Sequence, residues 1–241
     1  MSTILTLPAL ENATGPGRPP LLFASSVVKR FGPTEALRGA TTAILAGEIV
    51  AIMGPSGSGK STLLHCLAGI LRPDAGAVTY AGRDLSRMSE NERSQLRLSE
   101  FGFVFQHGQL VPDLPGEENV ALPLLLRGDS RRTALATARE WLDTLGVAEA
   151  IGKLPGELSG GQAQRVALAR AFAIEPRVIF ADEPTGSLDS LAGEGVMELL
   201  TAAGRERGTT VVIVTHDARV AAYANREIVV RDGRVTAGAL S

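Results

Sequence analysis

Apolar runs without polar interruption recur along this chain: Ile49-Val50-Ala51-Ile52-Met53, Val178-Ile179-Phe180-Ala181 and Val211-Val212-Ile213-Val214. Between them lie helix-like segments, Leu63–Ala68, Val166–Ala173, Ala192–Arg205 and Ala218–Ala224. Such alternation predicts parallel strands covered on both faces by helices. Leu21–Ala24 with Val27-Val28, closing on Phe31-Gly32-Pro33, predicts an earlier strand, and the alternating Ala40–Leu45 predicts an edge strand beside it. The turn residues of Arg72–Gly76 introduce a hairpin, Ala77–Tyr80 then Ala81-Gly82-Arg83, and a second hairpin crosses Arg231–Arg234. Residues 84 to 100 are polar and charged, a surface helix leading to the strand Gly102–Gln106. From about 107 to 160 the pattern is helical: Leu135, Ala138, Leu142 and Leu145 fall on one helix face with Trp141 beside it. The pattern as a whole predicts a doubly wound α/β core carrying a helical insertion.

The 241 residues are 44% hydrophobic and 21% charged, ordinary for a globular protein. A net charge of −2 with no long basic run excludes an electrostatically driven nucleic-acid binder. Cys66 is the only cysteine, which excludes a disulfide framework and a thiolate metal cluster, and its place in a helix-like segment predicts an apolar, buried role. Residues 1 to 20, rich in Pro and Gly toward their end, read as a flexible tail rather than a signal peptide; residues 236–241 read as a C-terminal tail. No run approaches eighteen apolar residues, so no membrane-spanning helix is expected.

The most informative stretch is Gly54-Pro55-Ser56-Gly57-Ser58-Gly59-Lys60-Ser61-Thr62, a complete G-x-x-x-x-G-K-[ST] phosphate loop between an apolar strand and a helix. Glycines let backbone N–H groups converge on an anion, and the helix contributes its positive end. Lys60 is expected on the β- and γ-phosphates, Ser61 on Mg²⁺ and Thr62 near the α-phosphate. The chain has three lysines against twenty-one arginines, yet keeps a lysine here, where a compact ammonium fits and a planar guanidinium does not. Asp182-Glu183 ends a predicted buried strand, at the carboxyl edge where parallel sheets present ligand groups. Asp182 is expected to hold Mg²⁺ through water, complementing Ser61, and Glu183 to act as general base on an attacking water.

Leu158-Ser159-Gly160-Gly161-Gln162 followed by Arg165 resembles the signature motif of the ATP-binding-cassette (ABC) family. With Gly54–Thr62, Gln106, Asp182-Glu183, Ser187-Leu188-Asp189 and His216-Asp217 in that chain order, the resemblance covers residues about 21 to 235. Its physics is legible: a Ser hydroxyl and glycine N–H groups opening a helix near Gln162 make a second anion-binding helix end. The family resemblance implies a P-loop NTPase core with a mainly parallel sheet, an N-terminal antiparallel β-subdomain and an α-helical subdomain inserted over about residues 107–160.

It also implies ATP and Mg²⁺ as cofactors, and a head-to-tail pair of copies in which ATP on one chain's Lys60 loop is closed by Ser159, Gly160, Gly161 and Gln162 of the other. Gln106 is similar to the switch glutamine that contacts Mg²⁺ and the attacking water, and His216 to the switch histidine at the γ-phosphate. Asp189 would lie across the dimer boundary, and Phe31 stands where the family places an aromatic that stacks on adenine. The mixed apolar and proline segment Gln109–Val120 is a candidate surface for the coupling helices of an integral membrane permease. The chain would then work at the cytoplasmic face of the membrane without touching the transported substrate. Short loop motifs, among them Leu110-Val111-Pro112 and Glu118-Asn119-Val120, are similar to the branch serving lipoprotein release, macrolide or peptide export and cell-division signalling. Two activities fit that branch: an exporter ATPase, and an ATP-switched regulatory subunit that acts on a membrane partner without transport.

Overall fold

A computed structural model describes residues 19–106 and 108–236 of the chain. The expected tail over residues 1 to 20 lies outside the described residues apart from Pro19 and Pro20, as does all but Thr236 of the expected C-terminal tail.

Two sheets form. The first is antiparallel and contains β1 (Leu22–Phe31), β2 (Thr34–Ile44), β4 (Ala75–Tyr80) and β5 (Arg83–Asp84) in the order β2-β1-β4-β5, with β2 at an edge as its alternation predicts. The second runs β10-β9-β3-β8-β7-β6, built from β3 (Ile49–Met53), β6 (Phe101–Phe105), β7 (Val178–Asp182), β8 (Thr210–Val214), β9 (Arg226–Arg231) and β10 (Arg234–Thr236). It is parallel throughout except for the β9–β10 hairpin. β3, β7 and β8 are buried on both faces, which is why they read as continuous apolar runs. Ile49, Ile179, Ala181, Val211 and Ile213 point into one core with the helices of the insertion, whereas Val50, Ile52, Phe180, Val212 and Val214 point into a second core with the antiparallel sheet. Each such Val, Ile or Phe side chain taken from water contributes roughly 1.5–3 kcal/mol.

Seven α-helices are present among the described residues: α1 (Lys60–Leu67), α2 (Glu90–Glu100), α3 (Gly116–Arg127), α4 (Arg131–Thr144), α5 (Gly160–Phe172), α6 (Ser190–Arg207) and α7 (Ala218–Ala221). The polar stretch expected as helix from residue 84 becomes helical only at Glu90. Ser89 stops it there, accepting from the Glu92 N–H while the Glu92 carboxylate accepts from the Ser89 N–H, a reciprocal capping box. In α4 the buried face is Ala134, Ala138, Trp141 and Leu142, so Ala134 rather than the half-buried Leu135 completes the stripe, and Leu145 follows just past the helix end. Trp141 stacks on Phe172 of α5 at 5.2 Å, with the Arg207 guanidinium 4.3 Å from its ring, which ties the insertion to the main body.

Cys66 is buried in α1, and burial pushes its thiol up to about 12, the unreactive role its position predicts. The candidate partner surface, Gln109–Val120, is braced from within while Gln109, Pro112 and Asp113 stay exposed. The fully buried Asn119 accepts from the Val111 N–H at 2.7 Å and donates to the carbonyls of Val111 and Leu114. Apolar surface lies beside it, in a groove of about 480 Å³ between β6, α3 and α5 that includes Phe103, Phe105, Leu122, Leu126 and Ile174. Leu126 is 66% exposed there.

Candidate active site

Strand β3 delivers the phosphate loop and α1 leaves it. Gly59 occupies the corner at φ 104°, and a Cβ there would lie 2.5 Å from the Ala36 carbonyl oxygen, so only glycine closes the turn. No side chain caps α1 and no acidic residue sits in its first turn. Its leading N–H groups are therefore left for an external anion. Lys60, 8% exposed, donates from Nζ to the carbonyls of Gly54 and Pro55, both at 3.0 Å, so its ammonium is held against the loop it would share with a phosphate. The Ser58 hydroxyl is buried without a partner among the described residues. Behind the loop, the Gly233 N–H of the β9–β10 turn donates to the Ser58 carbonyl at 2.9 Å while its own carbonyl accepts from Arg38 N–H of β2. That anchor was not foreseen from sequence, where Asp232-Gly233 signals only a turn.

The second half of the site comes from the carboxyl ends of β7 and β8. The Ser61 hydroxyl donates to the Asp182 carboxylate at 3.0 Å, bridging the phosphate helix and the sheet. Burial, opposed by the Ser61 hydrogen bond, pushes the Asp182 carboxyl above its usual range. A divalent cation beside it would offset that cost. Among the described residues no group of three or more His, Cys, Asp or Glu side chains could cage a metal. A hydroxyl and one carboxylate are instead the sparse, hard-oxygen set that suits Mg²⁺, which keeps water and takes oxygens from a bound phosphate. The residues fit the ion.

Glu183 follows at φ 50°, a left-handed conformation that costs a non-glycine residue about 1–3 kcal/mol. It is held there from several directions. Its N–H donates to the Val214 carbonyl at 2.9 Å, its Oε1 lies 2.7 Å from His216 Nδ1, and the Thr215 hydroxyl approaches Oε2 at 3.5 Å. His216 remains 71% exposed, so its imidazole faces outward while holding the carboxylate. The Thr215 contact is a residue beyond those marked in the sequence, and the Thr-His-Asp run was the available signal.

Gln106 sits just past the end of β6, where Phe105 pairs with Asp182. Its side chain lies over Gly186, and no hydrogen bond from it to Ser61 or Asp182 occurs among the described residues. Phe31 ends β1 with 48% of its surface exposed and the Lys29 ammonium 5.7 Å from its ring, a free aromatic face.

Helix α5 begins at Gly160, two residues before the expected start, because Ser159 caps it: the hydroxyl accepts from Gln162 N–H and Gln162 Oε1 accepts from Ser159 N–H. Its first turn, like that of α1, carries no acidic residue. Gly160 and Gly161 pack near Leu188 and Ala192 at the start of α6, where the Asp189 carboxylate accepts from Ala192 N–H. No hydrogen bond joins residues 159–162 to the phosphate loop among the described residues. The chain thus brings Lys60, Ser61, Asp182, Glu183 and His216 together, and holds Ser159, Gly160, Gly161, Gln162 and Asp189 as a separate group.

Residues 37–186 match the model of the ABC transporter family. The chain is 45% identical over 204 residues to the lipoprotein-releasing system ATP-binding protein LolD 2 of Caulobacter vibrioides, covering 85% of this chain and 90% of that protein. It is 44% identical over 231 residues to the pyoverdine export ATP-binding/permease protein PvdT of Pseudomonas aeruginosa, covering 94% of this chain and 34% of that longer protein. Among solved structures, the dimeric ATP-binding cassette MJ0796 in a post-hydrolysis state bound to ADP and Pi superposes with a TM-score of 0.84 at 39% identity, covering 91% of this chain and 98% of that one.

Proposed function

The chain belongs to the ABC transporter family, as its ATP-hydrolysing subunit, and from that premise we propose that it powers lipoprotein release or a closely related export reaction. Two copies would enclose two ATP molecules and act on separate membrane subunits from the cytoplasmic face. The observation that carries the catalytic part is the Ser61–Asp182 hydrogen bond with Glu183, pinned by His216, on the next residue. It sets a metal-ligating pair and a candidate base side by side at the mouth of an uncapped helix.

Lys60 and the first-turn N–H groups of α1 bind and orient the β- and γ-phosphates, and Phe31 offers its exposed ring to the adenine. Ser61 and Asp182 would hold Mg²⁺, which supplies charge neutralisation on the phosphate oxygens. Glu183 takes a proton from the attacking water, while His216 keeps its carboxylate oriented. Gln106 would join that water when its side chain leaves Gly186. Positioning and charge stabilisation do most of the work, since the transferred phosphoryl group forms little new bonding with protein.

The dimer supports itself on two features. The capped N-terminus of α5 makes no hydrogen bond to its own phosphate loop among the described residues, and Leu191, 81% exposed, follows Asp189 at the start of α6. The solved dimeric cassettes provide the precedent. For the membrane partner, the apolar groove around Phe103, Leu122 and Leu126 offers a seat for a short amphipathic helix.

The test is Glu183→Gln in the purified full chain. ATP affinity should persist by calorimetry, turnover should fall by about 10²–10⁴-fold, and the variant should elute as an ATP-dependent dimer. Wild-type turnover would overturn the assignment of the base.

A further inference from the structure

Several backbone carbonyls around Gln106 are held by side chains from elsewhere. The Phe105 carbonyl accepts from Gln164 Nε2 and from the Gly108 N–H, both at 3.0 Å, and the Gln106 carbonyl accepts from the Ser187 hydroxyl at 2.6 Å. Beyond them, Arg170 donates to the Gly108 and Gln109 carbonyls, both at 2.8 Å. Gln164 is 1% exposed and stands on α5, little more than a turn from the Ser159 cap. Ser187 stands in the turn that starts at Glu183, whose carbonyl accepts from Gly186 N–H at 3.0 Å. The Gln106 side chain fills the space over Gly186, where a Cβ would come within 2.9 Å of its amide nitrogen. Gln106 is therefore suspended between two elements, the helix capped by Ser159 on one side and the turn carrying Glu183 on the other.

We propose that Gln164 and Ser187 are positioning residues for ATP hydrolysis: they grip the carbonyls on either side of the Gln106 N–H and fix where its side chain stands relative to Glu183. Neither touches nucleotide. Because Gln164 belongs to α5, a shift of that helix on meeting a second chain's ATP is transmitted to the Phe105 carbonyl through the Gln164 side chain, and Ser187 keeps the Glu183 turn in step. Gln164 is buried, so breaking this bond leaves its amide without a partner or water, while the Phe105 carbonyl keeps only the Gly108 N–H. The inference rests on the reading of Gln106 as a group that serves the attacking water.

A double-mutant cycle on the purified full chain tests it, with kcat and KM for MgATP as readouts. Gln164→Met keeps length and volume but removes the donor; Ser187→Ala removes the exposed hydroxyl. Each should lower kcat about tenfold with KM within about twofold, the loss expected of one transition-state positioning contact. In a Gln106→Ala background each should change kcat by less than about twofold, because the group they position is gone. Equal losses in both backgrounds, or none in the wild-type background, would overturn the proposal while leaving the Glu183 assignment standing. Wild-type kcat in Gln106→Ala alone would remove the role of Gln106 and the proposal with it. Should Gln164→Met fail to fold, the Ser187→Ala arm decides by the same criteria, since its side chain is exposed.

Discussion

His216 Nδ1 lies 2.7 Å from Glu183 Oε1, joining the end of β8 to the end of β7 across the residue best placed to activate water. Glu183 has a costly left-handed backbone conformation, and the contact holds its side chain in one orientation. His216→Ala should leave ATP binding within about threefold and lower kcat about 100-fold, in the range seen when one preorganised polar contact is lost. Titration calorimetry with ATP and a steady-state phosphate-release assay separate the two effects.

Lys60 is committed to the Gly54 and Pro55 carbonyls when the chain is alone, so its ammonium is already in the loop. Lys60→Ala should weaken ATP binding by at least about tenfold, the value of one charge-assisted contact. Unchanged affinity by calorimetry would place the triphosphate elsewhere.

Asp182 gives a pH-dependent signature. Burial raises its carboxyl, so the folded chain binds that proton more readily than the unfolded chain. The cost of ionisation is present in full above the raised value and fades as pH falls into the ordinary carboxylate range. Asp182→Asn, which can still accept from Ser61, should raise the melting temperature of the ligand-free chain by about 1–3 °C at pH 7.5. The gain should vanish near pH 4, and the variant should lose the Mg²⁺ dependence of ATP binding. Differential scanning calorimetry across pH measures the first part.

Much of this was legible because the signals are local. The phosphate loop lies within nine consecutive residues, and the buried strands β3, β7 and β8 announce themselves by uninterrupted apolar runs. What was not legible depends on distant partners. The turn at Arg231–Arg234 announces the hairpin, but not that its first strand, β9, pairs in parallel with β3 behind the phosphate loop; there Arg226 is held by Glu48 at 2.7 Å, a residue far away in sequence. The Gln109–Val120 segment reads as exposed because nothing local shows that Asn119 will gather its carbonyls. Gln106 likewise could be named from its place in the motif series, whereas its position over Gly186 is a product of the β6–β7 pairing.

Trp141 tests how firmly the helical insertion is attached. It is 5% exposed, stacked on Phe172 and covered by Arg207. Trp141→Ala should cost about 3–5 kcal/mol, read as a lower urea midpoint at an unchanged slope.

The central claim is that each ATP site is shared between two copies, Lys60 of one and Ser159 of the other. Lys60→Ala and Ser159→Glu chains should each be nearly inactive alone, the second because a carboxylate would meet the γ-phosphate at the start of α5. Mixed dimers contain one site in which both residues are native. Steady-state ATPase of the equimolar mixture should therefore rise well above either parent, and a mixture no more active than its parents would contradict the shared site.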